Sequence, residues 1–87
     1  MVEREVTIKN RSGLHTRPAA SLVKLAAKFK SDFTIELVGM EINGKSIIGV
    51  MTLAAEQGST LVLQFSGEDE ESALEAIASL IERGFDE

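Results

Sequence analysis

The residues of this chain best suited to covalent chemistry lie together in the stretch Gly13-Leu14-His15-Thr16-Arg17-Pro18. His15 is the sole histidine, and there is no cysteine. Disulfides, thiolate metal sites and thiol nucleophiles are therefore excluded, and His15 has no second histidine with which to share a zinc ion, so no metal is expected. A histidine directly before a helix faces backbone N–H groups without intrahelical partners, and the partial positive charge they carry. That field favours a neutral ring with a free nucleophilic nitrogen, and it favours a dianion formed on that nitrogen. Arg17 offers a planar guanidinium able to hold phosphate oxygens in pairs. Pro18 stiffens the turn without an N–H of its own, and Gly13 lets the loop pass close to its neighbours. Phosphoryl transfer asks for positioning and charge stabilisation, and a histidine nitrogen can form the covalent intermediate. The residues thus point to a surface phosphohistidine; a merely solvated loop histidine is the alternative.

The elements that must hold this stretch follow from periodicity. Val2, Val6 and Ile8 alternate with polar residues as a half-buried strand. From Thr16 to Phe29 the period changes: Ala19, Leu22, Val23, Ala26 and Phe29 share one helical face, with Pro18 tolerated in the first turn. Phe33, Ile35 and Leu37 alternate as a second strand, Gly39 allows a reversal, and Met40 to Asn43 return as a short third strand. Residues 46–53 lean toward strand by their β-branched content, with a helical turn capped by Ser46 as the competing reading. Leu61, Leu63 and Phe65 mark another strand. Acids from Glu68 to Glu71 open a last helix, Ala73, Leu74, Ile77, Leu80 and Ile81 form its buried stripe, and Gly84 stops it. The order β-α-β-β-(α)-β-α is met most simply by helices on one face of an antiparallel sheet, an α+β fold.

Eighty-seven residues suffice for one thin two-layered domain, expected to span 1–87, with little room for an enclosed active site. The net charge of −5 conceals a division. Residues 1–30 hold seven basic side chains, Arg4, Lys9, Arg11, Arg17, Lys24, Lys28 and Lys30, against Glu3 and Glu5. Residues 31–87 hold Lys45 and Arg83 against twelve acids. Such polarity steers the basic third toward an acidic protein surface. Nucleic acid is set aside because there is no tyrosine or tryptophan on which bases could stack. No apolar run reaches the length of a membrane span, and Met1 to Glu5 lack the apolar core of a secretory leader, so a cytoplasmic chain without membrane insertion is expected.

Gly39-Met40-Glu41-Ile42-Asn43-Gly44-Lys45-Ser46 fits the spacing of a nucleotide-binding P-loop. The context is wrong: the preceding strand alternates like an antiparallel one, Glu41 would sit among phosphates, and Gly49 interrupts the following helix. A strand, a turn and a capping serine account for the same residues.

The stretch from Gly13 to Ala19 resembles the active-site signature of the HPr family, histidine-containing phosphocarriers of the bacterial phosphotransferase system. Asn43 to Met51 resembles that family's second signature, around a regulatory serine. The two motifs lie at the family's separation, and the likeness covers essentially the whole chain. It implies a four-stranded antiparallel sheet covered on one face by helices, an open-faced β-sandwich. It implies no cofactor and no turnover catalysis, but a covalent relay in the cytoplasm: His15 accepts phosphate on Nδ1 from enzyme I and yields it to enzyme IIA domains of sugar permeases. Arg17 matches the active-site arginine. The docking surface maps onto Thr16, Ala20, Ile47, Ile48 and Met51, some of which could instead face the core; residue 48 is isoleucine where methionine is common in the family. Lys24, with Arg11 and Lys28, either joins that surface or belongs to a solvated helix face. Ser46 matches a serine phosphorylated in many members by a serine kinase, in a form that binds a catabolite-control repressor; a capping role alone also explains it. A nitrogen-branch or regulatory paralogue with the same histidine chemistry, and an interaction module without it, are the alternatives. A relay that shows one face to successive partners is expected to be a monomer.

Overall fold

In the computed structural model, which describes residues 1–87, the alternating segments pair into one antiparallel sheet. Its strands are β1 (Val2–Thr7), β2 (Asp32–Leu37), β3 (Met40–Asn43) and β4 (Thr60–Ser66), in the spatial order β1-β4-β2-β3. Three helices, α1 (Thr16–Ala26), α2 (Ile47–Leu53) and α3 (Glu70–Glu82), lie on one face, followed by a single 3-10 turn, Gly84–Asp86. This is the α+β open-faced sandwich expected from the sequence.

The register decides which face is dry. Val6 pairs with Leu61, and Leu63 lies between Arg4 and Ile35, while Phe33 and Phe65 stack with ring centroids 4.2 Å apart. These side chains meet Leu22 and Ala26 of α1 and Ala73, Ile77 and Ile81 of α3 in one core of 21 buried residues. Each fully buried Leu, Ile or Phe contributes about 1.5–3 kcal/mol through lost apolar exposure. Arg4 points to the helical side, where it bonds Glu75 of α3 at 2.8 Å. The opposite, open face carries Glu3, Glu5, Glu36 and Glu41. The bare sheet thus carries acids, while Arg17 and Lys24 stand on α1.

Of the two readings of residues 46–53, the structure takes the helix capped by Ser46, over Ile47–Leu53, and not the strand that their β-branched content favours. Ser46 accepts a hydrogen bond from the Gly49 N–H at 3.1 Å, and Val50 and Leu53, three apart, are both buried; capping and burial override propensity here. Helix α1 ends at Ala26 and not at Phe29, because the Lys28 and Phe29 N–H groups bond three residues back, to Leu25 and Ala26, and tighten the last turn. The P-loop spacing falls on an antiparallel edge strand and a seven-residue helix, and Lys45 Nζ is committed to the Phe29 carbonyl at 2.7 Å. At the β2–β3 reversal Val38 and Gly39 both have positive φ, 42° and 82°, so a β-branched residue occupies a left-handed position beside the expected glycine.

One tether escaped the sequence. Asp69, at the start of α3, turns its carboxylate away from its own helix and toward the entrance of β2. It accepts from the Ser31 hydroxyl and N–H and from the Lys30 N–H. These bonds, the Ser31 hydroxyl foremost, hold its carboxyl at about 2, below the usual range. A carboxyl depressed in the folded state stabilises the fold above its unfolded value, near 4, and loses that contribution as pH falls through about 2. Asp69→Asn is thus expected to unfold more easily at neutral pH and to lose less stability than the parent between pH 4 and 2. Denaturant titrations across that window check it; parallel curves for the two proteins would contradict it.

Candidate functional site

The loop ahead of α1 is pinned at several points before it reaches His15. Asn10 is buried, and its Nδ2 donates to the Gly13 carbonyl at 2.9 Å while the Gly13 N–H returns to the Asn10 carbonyl at 3.2 Å. Gly13 has φ +68°, and a Cβ there would lie 2.4 Å from the Ala55 carbonyl oxygen, so the close approach requires glycine. Leu14 then donates its N–H to that same carbonyl at 2.9 Å and buries its side chain in the core. With Leu14 turned inward, His15 is turned outward.

His15 is the N-cap residue of α1, with extended backbone (φ −86°, ψ −168°), and its carbonyl accepts the first helical bond, from Ala19, at 2.9 Å. Its side chain makes no capping bond and is 45% exposed. Pro18 has no N–H to give, so the orphan donors of the first turn are those of Thr16 and Arg17. No acidic residue stands in that turn to answer them. Arg17 is exposed and enters none of the chain's four ion pairs. An exposed imidazole, unanswered N–H groups and a free guanidinium at one helix start can receive a dianion without first breaking a contact.

The surface around this point is drawn from two helices. Thr16, Ala20 and Lys24 succeed one another four residues apart along α1, and all are exposed. Ile47, Ile48 and Met51 of α2 are 38%, 76% and 43% exposed, so none of the three is a core residue. Helices α1 and α2 pack on each other, and His15 and Met51 line one shallow depression together with Ser12 and Ala54. The structure therefore joins residues about 30 positions apart into a patch that is cationic on α1 and apolar on α2. Arg11 and Lys28 are exposed as well, without a contact that ties them to the patch. Ser46 is half-buried at the start of α2, its hydroxyl occupied as a cap acceptor.

Sequence reasoning missed one neighbour. Glu87 Oε2 lies 3.8 Å from His15 Nε2, and Glu87 Oε1 accepts from Asn10 Nδ2 at 3.3 Å. No periodicity or local motif links these positions; only the fold of the turn after α3 brings them together.

Comparison with known proteins agrees with the geometry. A family model described as the PTS HPr component phosphorylation site matches residues 2–83. The chain is 46% identical over 87 residues to the phosphocarrier protein HPr of Xylella fastidiosa strain Temecula1, covering 100% of this chain and 98% of that one. It is 45% identical over 85 residues to the phosphocarrier protein NPr of Proteus mirabilis, covering 97% of this chain and 94% of the other. Among solved structures, HPr from Thermoanaerobacter tengcongensis superposes with a TM-score of 0.97 at 45% identity, covering 100% of this chain and 98% of that one.

Proposed function

The chain belongs to the HPr family of phosphotransferase-system phosphocarriers, and from that premise we propose that it relays a phosphoryl group on His15 between two proteins. The phosphate comes from enzyme I, charged by phosphoenolpyruvate, and goes to the enzyme IIA domain of a sugar permease. The chain is then a substrate of both partners and not a turnover enzyme, acting as a single domain and a monomer in the cytoplasm. One observation carries this reading: the exposed His15 ring stands at the start of α1, beside N–H groups and an Arg17 that nothing else engages. Arg17 steadies the phosphate. Thr16, Ala20, Lys24, Ile47, Ile48 and Met51 form the docking face, apolar at its centre and cationic at its rim, as transient partners require.

The test is a two-step exchange. Incubation with enzyme I and phosphoenolpyruvate is expected to give one acid-labile, base-stable phosphate, discharged on adding a IIA domain. A chain that takes no phosphate would overturn the proposal. The likeness to an NPr favours a second reading, a paralogue with the same His15 chemistry and other partners. Charging by one of two competing enzyme I proteins separates the readings.

Ser46 is proposed as a regulatory phosphorylation site of a serine kinase. Its half-buried hydroxyl borders Ile47 and the docking face, so a dianion there would meet an acidic partner head-on and oppose docking without refolding the chain. A form so modified would offer a new surface to a repressor. Ser46→Asp is expected to slow charging by enzyme I roughly tenfold, the effect of about 1.4 kcal/mol of repulsion. Equal charging rates would remove Ser46 from the switch.

A further inference from the structure

We propose that Glu87 is a positioning residue for His15, its carboxylate holding the Nε2 edge of the ring so that the phosphoryl group is directed to Nδ1. The inference rests on the phosphohistidine reading above, with Nδ1 as the acceptor atom, and adds to it what selects that atom. Glu87 Oε2 stands 3.8 Å from Nε2, and no other carboxylate pairs with the ring. The carboxylate is itself placed. Its Oε1 accepts from Asn10 Nδ2 at 3.3 Å, and the same Nδ2 holds the Gly13 carbonyl at 2.9 Å. Asn10 is only 7% exposed, and its amide is held by packing and by these two acceptors. The turn that delivers Glu87 is braced too: Phe85 is buried, the Glu87 N–H bonds the Gly84 carbonyl at 3.1 Å, and Arg83 Nε holds Asp86 at 3.0 Å. A chain of contacts thus runs from the loop that sets the His15 backbone to the ring that does the chemistry.

A carboxylate beside Nε2 favours the tautomer with the proton on Nε2, which leaves the lone pair on Nδ1. It also repels an incoming phosphoryl group from the Nε2 edge. In the transfer, the Nδ1 lone pair forms the new N–P bond as the donor's bond to phosphorus breaks and its electron pair returns to the donor. The Nε2 proton stays where it is. An exposed contact of this length adds little to stability, so the consequence lies in orientation and not in the fold.

The experiment charges the parent chain, Glu87→Gln and Glu87→Asp, digests each in alkali, and separates the two base-stable phosphohistidine isomers. The parent is expected to carry phosphate on Nδ1 alone. Glu87→Gln is expected to show a measurable share on Nε2 and charging roughly threefold to tenfold slower, at an unchanged unfolding midpoint. Glu87→Asp is expected to return most of the selectivity. Labelling confined to Nδ1 in Glu87→Gln overturns the inference, whatever its rate. A parent chain that accepts no phosphate overturns the functional reading itself, and this inference with it.

Discussion

His15→Ala is expected to accept no phosphate from enzyme I while folding as the parent does. The chain holds no other histidine and no cysteine, so no second side chain of comparable nucleophilicity stands at the helix start. Loss of a covalent acceptor is not a graded effect; transfer is expected to fall by more than about 10³-fold, to the level of the assay blank. The fold has little to lose. The His15 side chain makes no capping bond, and the contact it contributes to α1, its carbonyl to the Ala19 N–H at 2.9 Å, is backbone. A stability change within about 0.5 kcal/mol follows. Intact mass after incubation reads the phosphate, and a denaturant titration reads the fold. A fully phosphorylated His15→Ala would place the acceptor elsewhere and contradict the account.

Arg17→Glu separates function from stability with opposite signs. Arg17 is the second residue of α1, where an acid is favoured by the helix dipole by about 0.3–1 kcal/mol, so the variant is expected to be as stable as the parent or slightly more so. Transfer moves the other way. Removing a cation that bonds the phosphate oxygens costs about 1.5–3 kcal/mol, and the new carboxylate adds repulsion, so a slowing of about 10²-fold is expected. Because Arg17 also belongs to the cationic third of the chain, the dependence of the rate on salt is expected to flatten. Rates measured from low to physiological ionic strength check both effects. Unchanged rates with unchanged stability would take Arg17 out of the site.

How far the structure could be read from the sequence depended on the range of the determining contacts. The strand faces of Val6, Ile35 and Leu63 and the buried stripe of α3 are periodic signals, and each side chain is buried where its period places it. His15 and Arg17 were legible for the same reason: a loop glycine, a proline in the next turn and an amphipathic run fix a helix start within six residues. Residues 47–53 sat at the edge of legibility, since Ile47, Ile48 and Val50 favour strand in isolation and only the Ser46 cap and the burial of Val50 and Leu53 decide for helix. The tether from Asp69 to Ser31 and the contact of Glu87 with Asn10 and His15 lay beyond it. Both join segments that meet only after the sheet has formed, and charged residues in those segments look like any other solvated acid.

The central claim is that an exposed ring at the start of α1 carries the phosphate in transit, and the most direct measurement looks at that ring. Phosphorus and nitrogen NMR on the intact chain, charged by phosphoenolpyruvate and enzyme I, identifies the atom bonded to phosphorus. A single phosphorus–nitrogen bond at His15 is expected, and it is expected to disappear when a IIA domain is added. Phosphate bound to any other residue, or a phosphate on His15 that no IIA domain can remove, would contradict it.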